Sequence, residues 1–76
     1  MKQATQSALL AAIGEHFLDH DATPVTLTIG QKLGGHYIEV TDAPHSVIAS
    51  VFTWLKDHKD EYFATAHLRN GKLHIS

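Results

Sequence analysis

Imidazole is the most versatile chemical group in this sequence, which carries seven histidines: His16, His20, His36, His45, His58, His67 and His74. The ring titrates near neutrality, ligates metals and moves protons, so spacing decides which of these it does. In Glu15-His16-x-x-Asp19-His20, two histidines four apart on a helix can share a metal ion. The zinc-protease helix, however, places a glutamate directly after its first histidine, where Phe17 stands here. No spacing supplies a third ligand. The plainer reading is a polar helix flank, with His20 near the negative helix end. His36 is in phase with Ile38 and Val40, and His58 with Val51, Trp54, Leu55 and Tyr62. Two inward imidazoles could meet at a metal or act as a pH switch. The simpler expectation is a pair of hydrogen-bonded core histidines. No metal site is therefore assigned.

The C-terminal histidines differ. Asn70-Gly71 sits between two alternating runs, and Asn-Gly is the strongest short signal for a tight hairpin. A two-residue turn there sets Arg69 against Lys72, Leu68 against Leu73, His67 against His74 and Ala66 against Ile75. Leu68, Ala66, Leu73 and Ile75 then share the core face, and His67, Arg69, Lys72 and His74 the opposite one. Tyr37, from an earlier strand, points outward on the same side. These five residues, Tyr37, His67, Arg69, Lys72 and His74, form the candidate binding face. An aromatic ring among basic groups on an open sheet suits a protein partner anchored by tyrosine and arginine. It also suits single-stranded nucleic acid stacked on the ring. A formal net charge of −2 and the lack of a second placed aromatic weigh against nucleic acid.

Other chemistries find no support. Gly30-Gln31-Lys32-Leu33-Gly34-Gly35 joins two strands instead of leading into a helix, and no Gly-Lys-Ser/Thr follows, so it is not a phosphate loop. The sequence has no cysteine, hence no thiol nucleophile, disulfide or cysteine-ligated zinc. No serine sits in an activating motif and no opposed carboxylates frame a cleft. The expectation is a non-enzymatic protein without a cofactor.

The elements that position these residues follow from periodicity. Gln6, Leu10, Ile13 and Phe17 mark one face of a first helix over roughly 4–20, with Leu9 and His20 on its flank. It stops before Thr23-Pro24, because proline drives its predecessor out of the α region. Val25, Leu27 and Ile29, then His36, Ile38 and Val40, alternate as strands. They pair as a hairpin with a loop of about four to six residues. The second helix, capped at Asp42 or Ala43, has Pro44 in its first turn. Its broad apolar face runs through Val47, Ile48, Val51, Phe52, Trp54, Leu55, His58 and Tyr62. The order is αββαββ, an α+β fold. The simplest packing is a four-stranded antiparallel sheet with two helices on one face and the other face open.

Seventy-six residues make a single domain, 1–76, with a stability of about 4–11 kcal/mol. A hydrophobic fraction of 43% against 18% charged residues is globular composition. Residues 1–43 carry five acids and two lysines, and residues 44–76 three acids and four basic residues, so neither half is a basic footprint. The apolar stretch near the N-terminus is too short for a signal peptide, and none reaches a membrane span. A cytoplasmic location is expected. By size and class the chain fits a small protein-binding module that inhibits or adapts a larger machine, such as anti-CRISPR-type proteins of mobile elements. It would dock through the open face, an edge strand or the acidic first helix. Binding of nucleic acid is the alternative, and histidine metal binding a second one. An edge strand at the C-terminus also makes a homodimer an expectation.

Overall fold

A computed structural model describes residues 1–17 and 25–76. Its elements are α1 (Gln3–Phe17), β1 (Thr26–Lys32), β2 (Gly35–Thr41), α2 (His45–Asp57), α3 (Lys59–Tyr62), β3 (Ala66–Arg69) and β4 (Lys72–Ile75). Expectations that fall on 18–24, including His20 and the end of the first helix, lie outside the described residues. The fold is the small α+β arrangement read from the sequence, an antiparallel four-stranded sheet with helices against one face. No described helix is long and apolar enough to cross a membrane.

Strand order is β1-β2-β4-β3. The C-terminal strand is therefore central, and the expectation that it forms a sheet edge is corrected. Apolar content explains the placement. Leu73 and Ile75 of β4 are fully buried, opposite Val40 and Ile38 of β2. The inward residues of β3 are Ala66 and Leu68, and Leu68 remains 51% exposed. The strand with two large aliphatic side chains takes the position covered by helix, and its weaker partner takes the rim. The His67–His74, Leu68–Leu73 and Arg69–Lys72 pairs form in the expected register around Asn70-Gly71. Asn70 and Gly71 both adopt positive φ there, 51° and 76°, as such a turn demands.

The first hairpin is tighter than expected. β1 continues through Gly30, Gln31 and Lys32, and only Leu33 and Gly34 stand between the paired Lys32 and Gly35. Gly35 completes the reversal at φ 111°, a conformation that glycine alone reaches without strain.

The second helix also departs from its pattern. Pro44 is its N-cap, without a side-chain hydrogen bond. Asp42, at φ 57°, instead accepts a bond from the Thr26 hydroxyl at 3.3 Å. The helix breaks at His58. The His58 amide bonds to the Leu55 carbonyl at 3.1 Å, a tighter i−3 contact. Its ring Nδ1 takes the Trp54 carbonyl at 2.7 Å. A carbonyl only accepts, so Nδ1 carries the hydrogen of this bond and donates it. The ring also stacks on Trp54, with centroids 4.7 Å apart. His58 is thus a structural histidine that replaces a lost helical bond.

The core joins Leu9 and Ile13 of α1, Ile48, Val51 and Leu55 of α2, Ala64, and the inward residues of β2 and β4. In α1 the most buried side chain is Leu9, while Leu10 and Phe17 are only partly covered. The buried face is turned toward what the wheel treated as its flank. Gln6 is buried beside Leu9 and Ile13. Its amide donates to the carbonyls of Gly30 at 3.2 Å and Tyr37 at 2.9 Å, and this ties α1 to the first hairpin.

Candidate functional site

Strand alternation divides the sheet cleanly. Ile38, Val40, Leu73 and Ile75 point into the helix layer, so the intervening residues face outward. Glu39 lies opposite His74, and His74 opposite His67. A row Glu39–His74–His67 therefore crosses β2, β4 and β3. Arg69 and Lys72 follow in the next row, at the hairpin end.

Lys32, Glu39, His67, Arg69, Asn70, Lys72 and His74 line a concavity of about 430 Å³ on this face. Four of the five candidate residues, His67, Arg69, Lys72 and His74, are in that lining. Tyr37 joins through His74, on which its ring stacks with centroids 5.2 Å apart and an interplanar angle of 22°. Tyr37 is outward, as its phase requires, but half-buried. A methyl group placed on Gly30 would fall 2.5 Å from the Tyr37 hydroxyl oxygen and 2.6 Å from its Cε1 and Cζ. The phenol ring thus lies across the strand, filling the space that a side chain at position 30 would occupy. The Lys32 ammonium sits 4.8 Å from the ring centroid, within cation–π range.

Lys32 and Glu39 were missed from sequence. Glu39 shares the outward phase of Tyr37, so alternation already placed it on this face. Lys32 was hidden because three glycines made its segment look like a loop. With both included, the face holds Lys32, Arg69 and Lys72 against Glu39. That is three of the chain's six basic side chains and one of its eight acids. The face is net positive by two, so the remainder of a chain of net charge −2 must carry −4. Whole-chain charge had concealed this separation.

Two of the other described histidines serve the fold instead. His36 bonds through its backbone. Its amide donates to the Met1 carbonyl at 2.8 Å, and its carbonyl accepts from the Met1 ammonium at 3.0 Å. His16 lies at the rim of an aromatic cluster, 6.0 Å from Trp54, with Phe17 and Tyr62 also against that indole. No group of three or more His, Cys, Asp or Glu among the described residues is arranged to hold a metal ion. Comparison with known protein families, curated proteins and solved structures finds no match to this chain.

Proposed function

We propose that this chain is a non-enzymatic docking module whose open sheet face binds an acidic surface on a larger protein. The observation that carries the reading is the charge separation on the face: Lys32, Arg69 and Lys72 ring the Glu39–His74–His67 row. Opposed potentials steer encounter and fix register between partners. Arginine and tyrosine are the anchors that such interfaces favour. His67 and His74 add hydrogen-bonding groups, and the stack on Tyr37 already orients the His74 ring. Among the described residues the concavity stands open on the outer side of a two-layer fold, an arrangement that suits docking.

The same cations would attract a phosphate backbone, but the state of Tyr37 favours protein. A base-stacking platform needs a free aromatic face. The Tyr37 ring already packs over Gly30, against His74 and beneath Lys32.

Affinity capture from the native host tests the reading, using wild type, the face variant Arg69→Glu/Lys72→Glu and the remote variant Lys56→Glu/Lys59→Glu. The expected result is a protein partner retained by wild type and the remote variant and lost by the face variant. Equal retention by both variants overturns it. A labelled oligonucleotide that binds at low salt, with a steep loss on raising salt, would transfer the face to nucleic acid.

A further inference from the structure

The two rims of the sheet are not equivalent: β1 runs seven residues and β3 four. The hydrogen bonds of Met1 fix the phase of the first hairpin. His36 spends both its N–H and its C=O on Met1, so both point away from β1. In an antiparallel ladder, paired residues turn both backbone groups either toward or away from each other. Gln31, the partner of His36, therefore turns its N–H and C=O to the outer edge, as do Ile29 and Leu27 by the two-residue repeat. Among the described residues no other backbone group bonds to these three.

β1 also lacks the devices that protect an edge. Its seven residues, Thr26-Leu27-Thr28-Ile29-Gly30-Gln31-Lys32, contain no proline and no charge before the last position. Natural edges are usually shortened, charged or bulged. β3 meets that description, with four residues, Arg69 at its end and only Ala66 and Leu68 turning their backbone groups to the rim. On the helix side Leu27 packs against the core, but the next inward residue of β1 stays open. Ile29 is 51% exposed although it lies opposite the fully buried Ile38.

We infer that β1 pairs antiparallel with β1 of a second copy of this chain, about a twofold axis at Ile29. The sequence is self-complementary in that register. Ile29 meets its own copy, Leu27 meets Gln31, Thr28 meets Gly30, and Thr26 meets Lys32. About six N–H···O bonds form from the three outward-facing residues of each strand. The half-exposed isoleucines cover each other on the helix side. Lys32 stands opposite threonine, so no like charges are opposed. An axis perpendicular to the sheet puts both helix layers on one side and both open faces on the other. The product is an eight-stranded sheet with two copies of the cationic face pointing the same way. The pairing depends only on β1 and stands whether or not those faces bind an acidic partner.

Light scattering over a dilution series up to about 1 mM chain tests it, with wild type, Gln31→Pro and Ile29→Lys. Gln31→Pro removes an outward N–H that no internal ladder bond uses. Ile29→Lys places a charge at the twofold axis. The expected wild-type mass rises from 8.4 kDa toward twice that value, while both variants stay at 8.4 kDa with unchanged far-UV circular dichroism. Amide exchange on wild type alone gives a second readout: the amides of Leu27, Ile29 and Gln31 gain protection as concentration rises. Wild type that stays monomeric at the highest concentration overturns the inference. So does a folded variant that still dimerises, or a dimer in which those three amides remain unprotected.

Discussion

Replacing Gly30 with alanine should destabilise this protein, although backbone considerations alone predict the reverse. Gly30 lies in a strand at a φ open to any residue. Alanine there would ordinarily stabilise by about 0.4–1 kcal/mol, because it narrows the unfolded ensemble. The new methyl, however, would sit 2.5–2.6 Å from three atoms of the Tyr37 ring. The ring must swing away and give up its stack on His74 and its contact with Lys32. An aromatic pair contributes about 0.5–1.5 kcal/mol and an exposed cation–π contact about 0.5–1 kcal/mol. The losses outweigh the gain, for a net cost of roughly 0.5–1.5 kcal/mol. In a domain of this size that lowers Tm by about 3–10 °C. The measurement is thermal melting of wild type, Gly30→Ala, Tyr37→Ala and the double variant. In the Tyr37→Ala background the obstacle is gone, so Gly30→Ala should become stabilising. A higher Tm for Gly30→Ala in the wild-type background, or an effect of the same sign in both backgrounds, would refute a Tyr37 seat at Gly30.

Further outcomes follow from the packing. Leu73→Ala empties a fully buried site on a central strand and should cost about 2–5 kcal/mol; urea titration should show roughly half of the stability gone. Gln6→Met keeps volume but removes the bonds to the Gly30 and Tyr37 carbonyls. A loss of about 1–3 kcal/mol is expected by chemical melting, with exchange of α1 amides rising more than that of β4. Phe63 holds φ 53° while 85% exposed, so it bears strain with little burial to offset it. Phe63→Gly should raise stability by about 0.5–1 kcal/mol, and a lower Tm would contradict that assignment.

Legibility in the sequence tracked how local each determinant was. The second hairpin was readable to the residue pair, because Asn70-Gly71 admits one turn geometry and the register follows. The first was readable in its strands but not its turn. Gly30, Gly34 and Gly35 look alike in sequence, yet only Gly35 turns the chain at positive φ, while Gly30 is an in-strand seat for Tyr37. That seat depends on a cross-strand neighbour seven positions away, which composition does not reveal. Strand order was likewise non-local. β4 is central because Leu73 and Ile75 bury against both neighbours, a comparison between strands that no single strand displays. Residue types at Tyr37, His67, Arg69, Lys72 and His74 identified a face, and alternation gave its side. The positive charge of that face became visible only when Lys32 proved to be strand and Glu39 the lone acid among the cations.

The proposed docking of the open sheet face onto an acidic protein can be tested residue by residue. The direct measurement is a chemical-shift titration of the isotope-labelled chain with a glutamate-rich peptide at two salt concentrations. Shifts concentrated at Lys32, Glu39, His67, Arg69, Lys72 and His74 are expected, reduced at high salt as screening shortens the reach of the charges. They should vanish in Arg69→Glu/Lys72→Glu. Shifts centred on α1 or α2, or shifts that persist in that variant, would contradict it.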